Sequence, residues 1–245
     1  MITNPVVMLT HNNLALTKAA INSVRAQDID GISLIIVENG STDGTKEWLR
    51  SQEGIRVMHR TGSVAECWNQ ALKWLFASKS PYALVVNNDV ELPGNYYRCL
   101  VEENAPFASG IATDRREQVR TGDPPKSESK RYHPDFSAYL IRKECYETVG
   151  PFDEKFLGAY CEDCDYHVRM FEAGIRAYCI DLPYYHIRSA TIKNSPPEQA
   201  AAIQEQAERN RRYFYRKHGF KVESRQYWEH VWKDSSNAGV LPSRE

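Results

Sequence analysis

The sequence predicts an α/β protein, a mostly parallel sheet flanked by helices, of the kind that binds nucleotides at its strand ends. Two observations lead there. Over residues 5–87, short β-branched apolar runs alternate with stretches whose apolar residues recur at helical spacing, the signature of repeated β-α units. Three of the runs end in polar or glycine-containing segments, Thr10-His11-Asn12, Glu38-Asn39-Gly40-Ser41 and Asn87-Asn88-Asp89. In open α/β sheets ligands collect at such carboxyl ends, so all three are expected to converge on one crevice.

Strands are expected at Pro5–Thr10, Ser33–Glu38, Arg56–His59 and Tyr82–Asn87, and helices at Leu14–Ala26, Thr42–Ser51 and Ser63–Ala77. Ser41-Thr42-Asp43 and Thr61-Gly62-Ser63 offer caps at two of the helix starts. After Phe107–Ala112 the pattern breaks. The polar stretch Asp114–Pro134, with Pro124-Pro125, reads as a loop. Order returns with a strand at Phe136–Arg142, a short helix at Lys143–Val149, a helix at Asp163–Ala173, a strand at Arg176–Ile180 and a long polar helix at Pro197–Lys217. The expected organisation is one domain over residues 1–233, with a nucleotide-binding half (1–112) and a second half (135–233), followed by a flexible tail at 234–245.

Composition excludes several classes. With 245 residues, 42% of them hydrophobic and 26% charged, the chain suits a soluble globular protein with a sizeable core. Its 31 Lys and Arg against 32 Asp and Glu leave a formal charge of −1, so no global field demands a nucleic acid or anionic membrane. No apolar run reaches the roughly 18 residues of a membrane span, and the first residues lack a signal-peptide pattern; the expected location is cytoplasmic. Six cysteines without a second CxxC pair point to reduced thiols rather than a zinc or disulfide framework.

Within the expected crevice, Glu38 is suited to accept hydrogen bonds from a ribose hydroxyl or base N–H. Gly40 allows close backbone approach, and Asp89 is a hard oxygen donor for Mg2+ or Mn2+. A second concentration, Glu162-Asp163-Cys164-Asp165, opens a helix. Three acids there can simply match the helix dipole; the sharper expectation is one general base facing the crevice, with Asp165 bonding backbone or an arginine such as Arg169.

These segments occur in the order of a known family. Thr10-His11-Asn12, the run Ile35–Thr45 with its Glu38-Asn39-Gly40-Ser41-Thr42-Asp43, Gly62–Ala71, Leu84–Asp89, Val149–Phe156, Glu162-Asp163-Cys164-Asp165 and Tyr185-His186 together resemble the motifs of family-2 glycosyltransferases with the GT-A fold, over about residues 5–190. The resemblance implies an inverting, metal-dependent transfer from a UDP or dTDP sugar to a hydroxyl acceptor, whether a saccharide, a lipid-linked saccharide, a protein or modified nucleic acid. It also implies an acceptor-side subregion and a C-terminal helix. Carried over by residue, Asp163 matches the catalytic base, and Asp89 and His186 match ligands of Mn2+ or Mg2+. Thr10, Asn12, Glu38, Asn39, Gly62, Asn69 and Asn88 match the nucleotide side, and Glu162 and Trp68 are weaker candidates for the acceptor or sugar. Asn87 stands where a strict DxD motif has its first acid, Trp68 where many members have arginine, and Glu38 where aspartate is commoner.

Two rival readings remain. Another nucleotide-sugar enzyme, such as a nucleotidyltransferase, would want a basic glycine-rich phosphate loop near the amino terminus, and none is present. A non-catalytic module of this fold would use the stretch 209–225, where seven Lys or Arg face one acid with Tyr213, Phe214 and Tyr215 interleaved, a pattern suited to a polyanion such as DNA. Oligomeric state is not legible in the sequence.

Overall fold

The computed structural model describes residues 2–120, 122, 134–187 and 194–231. Most of the expected loop (Thr121, residues 123–133, including His133) and the expected tail 234–245 lie outside the described residues. Four parallel strands, β1 (Pro5–Thr10), β2 (Ser33–Glu38), β3 (Ile55–His59) and β4 (Tyr82–Asn87), are connected by α1 (Leu14–Arg25), α2 (Thr45–Arg50) and α3 (Val64–Ala77). Then come β5 (Val90–Glu91), α4 (Tyr96–Glu103), β6 (Phe107–Thr113), a 3-10 turn (Arg116–Gln118), β7 (Ala138–Arg142), α5 (Lys143–Val149), α6 (Glu162–Glu172), β8 (Ala177–His186), α7 (Pro197–His218) and α8 (Arg225–Val231).

Among the described residues the strands form one sheet in the order β3-β2-β1-β4-β7-β6-β8-β5. Six run the same way; β7 enters antiparallel between β4 and β6, and β5 pairs antiparallel with the end of β8. Side chains alternate faces along a strand. Val6 and Met8 accordingly join Leu34, Ile36, Leu84 and Val86 under α1 and α4, while Val7 and Leu9 join Ile35, Val37 and Val85 under α3 and α6. Burial on both faces explains why these strands read as continuous apolar runs.

The topology locates the crevice. From β1 to β2 to β3 the chain steps outward, with α1 and α2 contributing Ile21, Val24 and Leu49 to one face. To reach β4 it must reverse, and α3 packs Leu72, Leu75 and Phe76 on the other face, as the right-handedness of parallel crossovers requires. The loops after β1 and β4 therefore diverge to opposite faces, opening a cleft at their carboxyl ends.

The structure corrects several boundaries. The second helix starts at Thr45, not Thr42, because Asp43 is spent on the turn before it, accepting from the Thr45 N–H at 3.1 Å and the Leu14 N–H at 3.0 Å. By contrast, Ser63 caps α3 with a reciprocal capping box to Glu66. Ser63→Ala is expected to cost about 1 kcal/mol in urea denaturation. The last strand runs to His186 rather than Ile180, although Pro183 lies within it. A register shift between Ser109 and Ile111 of β6 absorbs two extra β8 residues, an irregularity of the kind that accommodates proline in a sheet. Gly110 sits at that shift, where a Cβ would lie 2.4 Å from the Leu182 carbonyl oxygen. Helix α4, strand β5 and helix α8 carry no sequence expectation. No helix among the described residues is long and apolar enough to cross a membrane.

Candidate active site

At the carboxyl edge of the sheet, strand register brings Thr10 beside Glu38, Glu38 beside His59 and Leu9 beside Asn87. Asparagines stitch the loops that follow. Asn12 and Asn13 adopt left-handed φ values of 54° and 59°, which this residue type tolerates. The Asn12 side-chain oxygen accepts from the Thr42 N–H at 2.8 Å, and its own N–H donates to Ser41 Oγ at 2.9 Å. Asn88 Nδ2 donates to the Asn12 carbonyl at 3.0 Å and to Thr17 Oγ1 at 2.9 Å. The Asn39 amide bonds reciprocally with the backbone of Gly62, at 3.1 and 3.0 Å.

Six of the nucleotide-side candidates, Thr10, Asn12, Glu38, Asn39, Gly62 and Asn88, thus share one edge, and Asn12, Asn39 and Asn88 use their amides to build the loops. Glu38 is buried and both its oxygens have protein partners, the Ser41 N–H and the His59 ring. Burial by itself pushes its carboxyl up; hydrogen bonds from Ser41, His59 and Gly40 outweigh that and hold it below the usual range. At 2% exposure Glu38 presents little surface for a nucleoside contact. Thr10 Oγ1, by contrast, is buried with no hydrogen-bond partner. Asn69 stands apart. Its amide braces the segment after α5, donating to the Phe152 carbonyl and to Glu154, both at 2.9 Å, and accepting from the Phe152 N–H at 2.8 Å.

Asp89 and His186 meet, although 97 positions separate them. The short strand β5 pairs Val90 with His186, and the Ile187 N–H donates to the Asp89 carbonyl at 3.1 Å. That pairing leaves His186 Nε2 3.4 Å from Asp89 Oδ2, both side chains about 15% exposed. His186 Nδ1 is buried without a hydrogen-bond partner. Among the described residues no group of three or more His, Cys, Asp or Glu side chains gathers as a metal cage.

The three acids opening α6 separate by environment. Burial raises the Glu162 carboxyl well above its usual range, and neighbouring Asp163 adds to the effect; Glu162 Oε2 has no partner. Burial also raises half-buried Asp163, against the opposing hydrogen bond from the Cys164 N–H at 2.7 Å, and Asp135 contributes repulsion. Asp165 goes the other way. It is fully buried, and burial alone would raise it, but His218 (2.8 Å), Arg169 (2.8 Å) and Lys217 (2.6 Å) hold it below the ordinary carboxylate value. Carboxyls pushed apart in this way are a mark of divided acid-base and structural duties.

Asp135 is a further acid near this edge, and no sequence signal marked it. It precedes β7, whose antiparallel start lies at the carboxyl end of β4: Ser137 gives its carbonyl to the Asn87 N–H and its own N–H to Asp135, both at 2.8 Å. Asp135 is also within electrostatic reach of Asp163. Asp135 thus sits beside the strand end that carries Asn87, and its charge disfavours the ionised form of Asp163.

Trp68 is 2% exposed and packs edge-on against Tyr139, with Phe152 on another side at 5.0 Å between ring centres. It forms core, and like buried Glu162 it presents little surface to a ligand. All six cysteines are free thiols. Burial and then Asp163 push Cys161 up to about 12, away from the thiolate that metal or redox use needs. Of the seven basic residues in 209–225, Arg209, Arg211, Arg212 and Arg225 pair with glutamates on their own helices. Lys217 turns inward to Asp153 and Asp165. Arg211 and Arg212 share Glu208, and the four paired arginines stay at the surface.

A family model described as "Glycosyl transferase family 2" matches residues 6–163. No curated protein matches the sequence. The crystal structure of S. aureus TarS superposes with a TM-score of 0.56 at 17% identity, covering 94% of this chain and 47% of that one. This chain thus spans about half the length of TarS, and at that identity the likeness speaks for the fold. With the family match reaching from β1 to Asp163 and the GT-A arrangement of sheet and helices, the chain belongs to glycosyl transferase family 2.

Proposed function

We propose that this chain is an inverting glycosyltransferase that moves a sugar from a UDP or dTDP sugar to a hydroxyl acceptor. The observation that carries the reading is the meeting of Asp89 and His186 at the carboxyl edge of the sheet, 3.4 Å apart, in a chain whose match to glycosyl transferase family 2 runs to Asp163. The acceptor hydroxyl becomes acidic only as it attacks, so it needs a carboxylate beside it that takes the proton in the transition state. Asp163, its carboxyl raised above the ordinary range by burial, suits that task. Attack from its side, opposite the leaving diphosphate, inverts the anomeric carbon in one displacement.

Asp89 and His186 fit Mn2+ or Mg2+. A hard carboxylate and an imidazole nitrogen meet at this edge, His186 Nε2 lying 3.4 Å from Asp89 Oδ2. Such ions are commonly held by one or two protein groups plus substrate phosphates. When bound, the ion would neutralise charge growing on the diphosphate. Thr10, Asn12, Asn39, Gly62 and Asn88 shape the nucleotide side of the cleft, and Glu38 holds the Gly40-Ser41 turn. The acceptor is a saccharide, a lipid-linked saccharide, a protein or modified nucleic acid.

The test is binding and turnover of a panel of UDP and dTDP sugars with Mn2+ or Mg2+. Metal-dependent binding of at least one donor is expected; no binding by any sinks the reading. Asp89→Ala and His186→Ala should each weaken the metal-dependent part by at least about 10- to 100-fold, measured by calorimetry against the metal-free baseline.

A further inference from the structure

The turn that presents Asp163 is held in a conformation its own residues do not favour. Gly158, Tyr160 and Cys161 have φ values of 67°, 80° and 75°. Glycine adopts such values freely, but tyrosine and cysteine do not. Cys161 occupies the cap position of α6 with no side-chain cap bond. The stabilising contact comes from elsewhere. Asn210, 2% exposed on α7, directs a single side-chain nitrogen at the carbonyls of Leu157 (2.9 Å), Ala159 (2.9 Å) and Tyr160 (3.0 Å). Three carbonyls converge on one donor only where the chain wraps around it, and positive φ values produce that wrapping. The Asn210 side-chain oxygen accepts from Gln206 at 3.0 Å, which fixes the amide's orientation. On the far side the Gly158 carbonyl accepts from the Val64 N–H at 2.7 Å, so the turn is pinned between α7 and the start of α3.

We infer that Asn210 is a positioning residue for Asp163, setting the aim of the base by wrapping residues 157–161 around its amide. The inference rests on the reading of Asp163 as the base. Relaxation of Tyr160 and Cys161 toward ordinary φ values would turn the first residues of α6 and swing Asp163 away from Asp135 and the end of β4. Donor groups on β1 to β4 would stay in place.

The experiment compares wild type with Asn210→Ala and, as a milder variant, Gln206→Ala. Hydrogen-deuterium exchange across residues 158–165 is read alongside nucleotide release from UDP and dTDP sugars with Mn2+. Expected are faster exchange confined to that segment, turnover lowered at least tenfold by Asn210→Ala at unchanged donor KM, and a smaller change of the same kind in Gln206→Ala. Adding Cys161→Gly to Asn210→Ala should recover part of the turnover, since glycine holds φ near 75° without the clamp. Unchanged exchange in both variants overturns the inference, as does a turnover loss that Cys161→Gly leaves untouched. Should Asp163→Asn keep full turnover, the reading of the base falls. Should Asp163→Asn be inactive while Asn210→Ala stays fully active, the role of Asn210 alone falls.

Discussion

Asp163→Asn is expected to lower sugar transfer by about 10²- to 10⁴-fold, the usual contribution of a positioned base, with donor affinity unchanged. The substitution keeps the side chain's size and leaves an amide oxygen to accept the Cys164 N–H; what it removes is the capacity to take a proton. It also separates function from stability. Burial raises the Asp163 carboxyl, so its ionised form is disfavoured in the folded chain, and a neutral amide should leave the melting temperature equal or higher. The acid limb of the turnover profile should lie above the ordinary carboxylate range for the same reason. Transfer at the wild-type rate in the purified variant would refute the assignment.

Asp165→Ala should act in the opposite way, as a stability defect of about 3–5 kcal/mol in urea denaturation, the cost typical of removing one partner of a buried ion pair. Asp165 is fully buried, and without it Arg169, Lys217 and His218 face one another across the junction of α6 with the end of α7. Its folded-state pKa lies below the ordinary value of 3.8. The stabilisation is therefore fully present above that ordinary value and is lost as pH falls through the folded one. The stability gap between wild type and Asp165→Ala should accordingly be flat near neutrality and close below about pH 4. A constant gap down to strong acid would show that packing, not charge, produces the effect.

The long helix α7 acquires a purpose the linear charge pattern concealed. Read in sequence, 209–225 is a basic, aromatic stretch. In the fold Lys217 pairs with Asp165 and His218 hydrogen-bonds to it, Tyr213 bonds Asp153 at 2.9 Å, and Phe214 fills a small core with Phe156, Val168 and Tyr227. Tyr213, Phe214, Lys217 and His218 therefore support the segment from Asp153 to Asp165.

What the sequence determined by itself is the frame: β1 to β4, their connecting helices, and the strand ends carrying Thr10, Glu38 and Asn87-Asn88-Asp89. Those features are written in short-range terms, the spacing of apolar residues and the chemistry of turns and caps, as with Ser63 and Glu66. Only the tertiary structure decided which polar groups are spent and which are left over. Asn12, Asn39 and Asn88 turn out to knit loops, Asn69 braces Phe152, and Trp68 sinks into the core. Three neighbouring acids, alike in sequence, divide because Asp165 meets cations from α6 and α7 while Glu162 and Asp163 do not. Asp89 meets His186 because a two-residue strand pairs with the end of β8, past a proline that local rules count against a strand. Desolvation and pairing energies depend on what arrives from distant parts of the chain, and one-dimensional order carries no measure of that arrival.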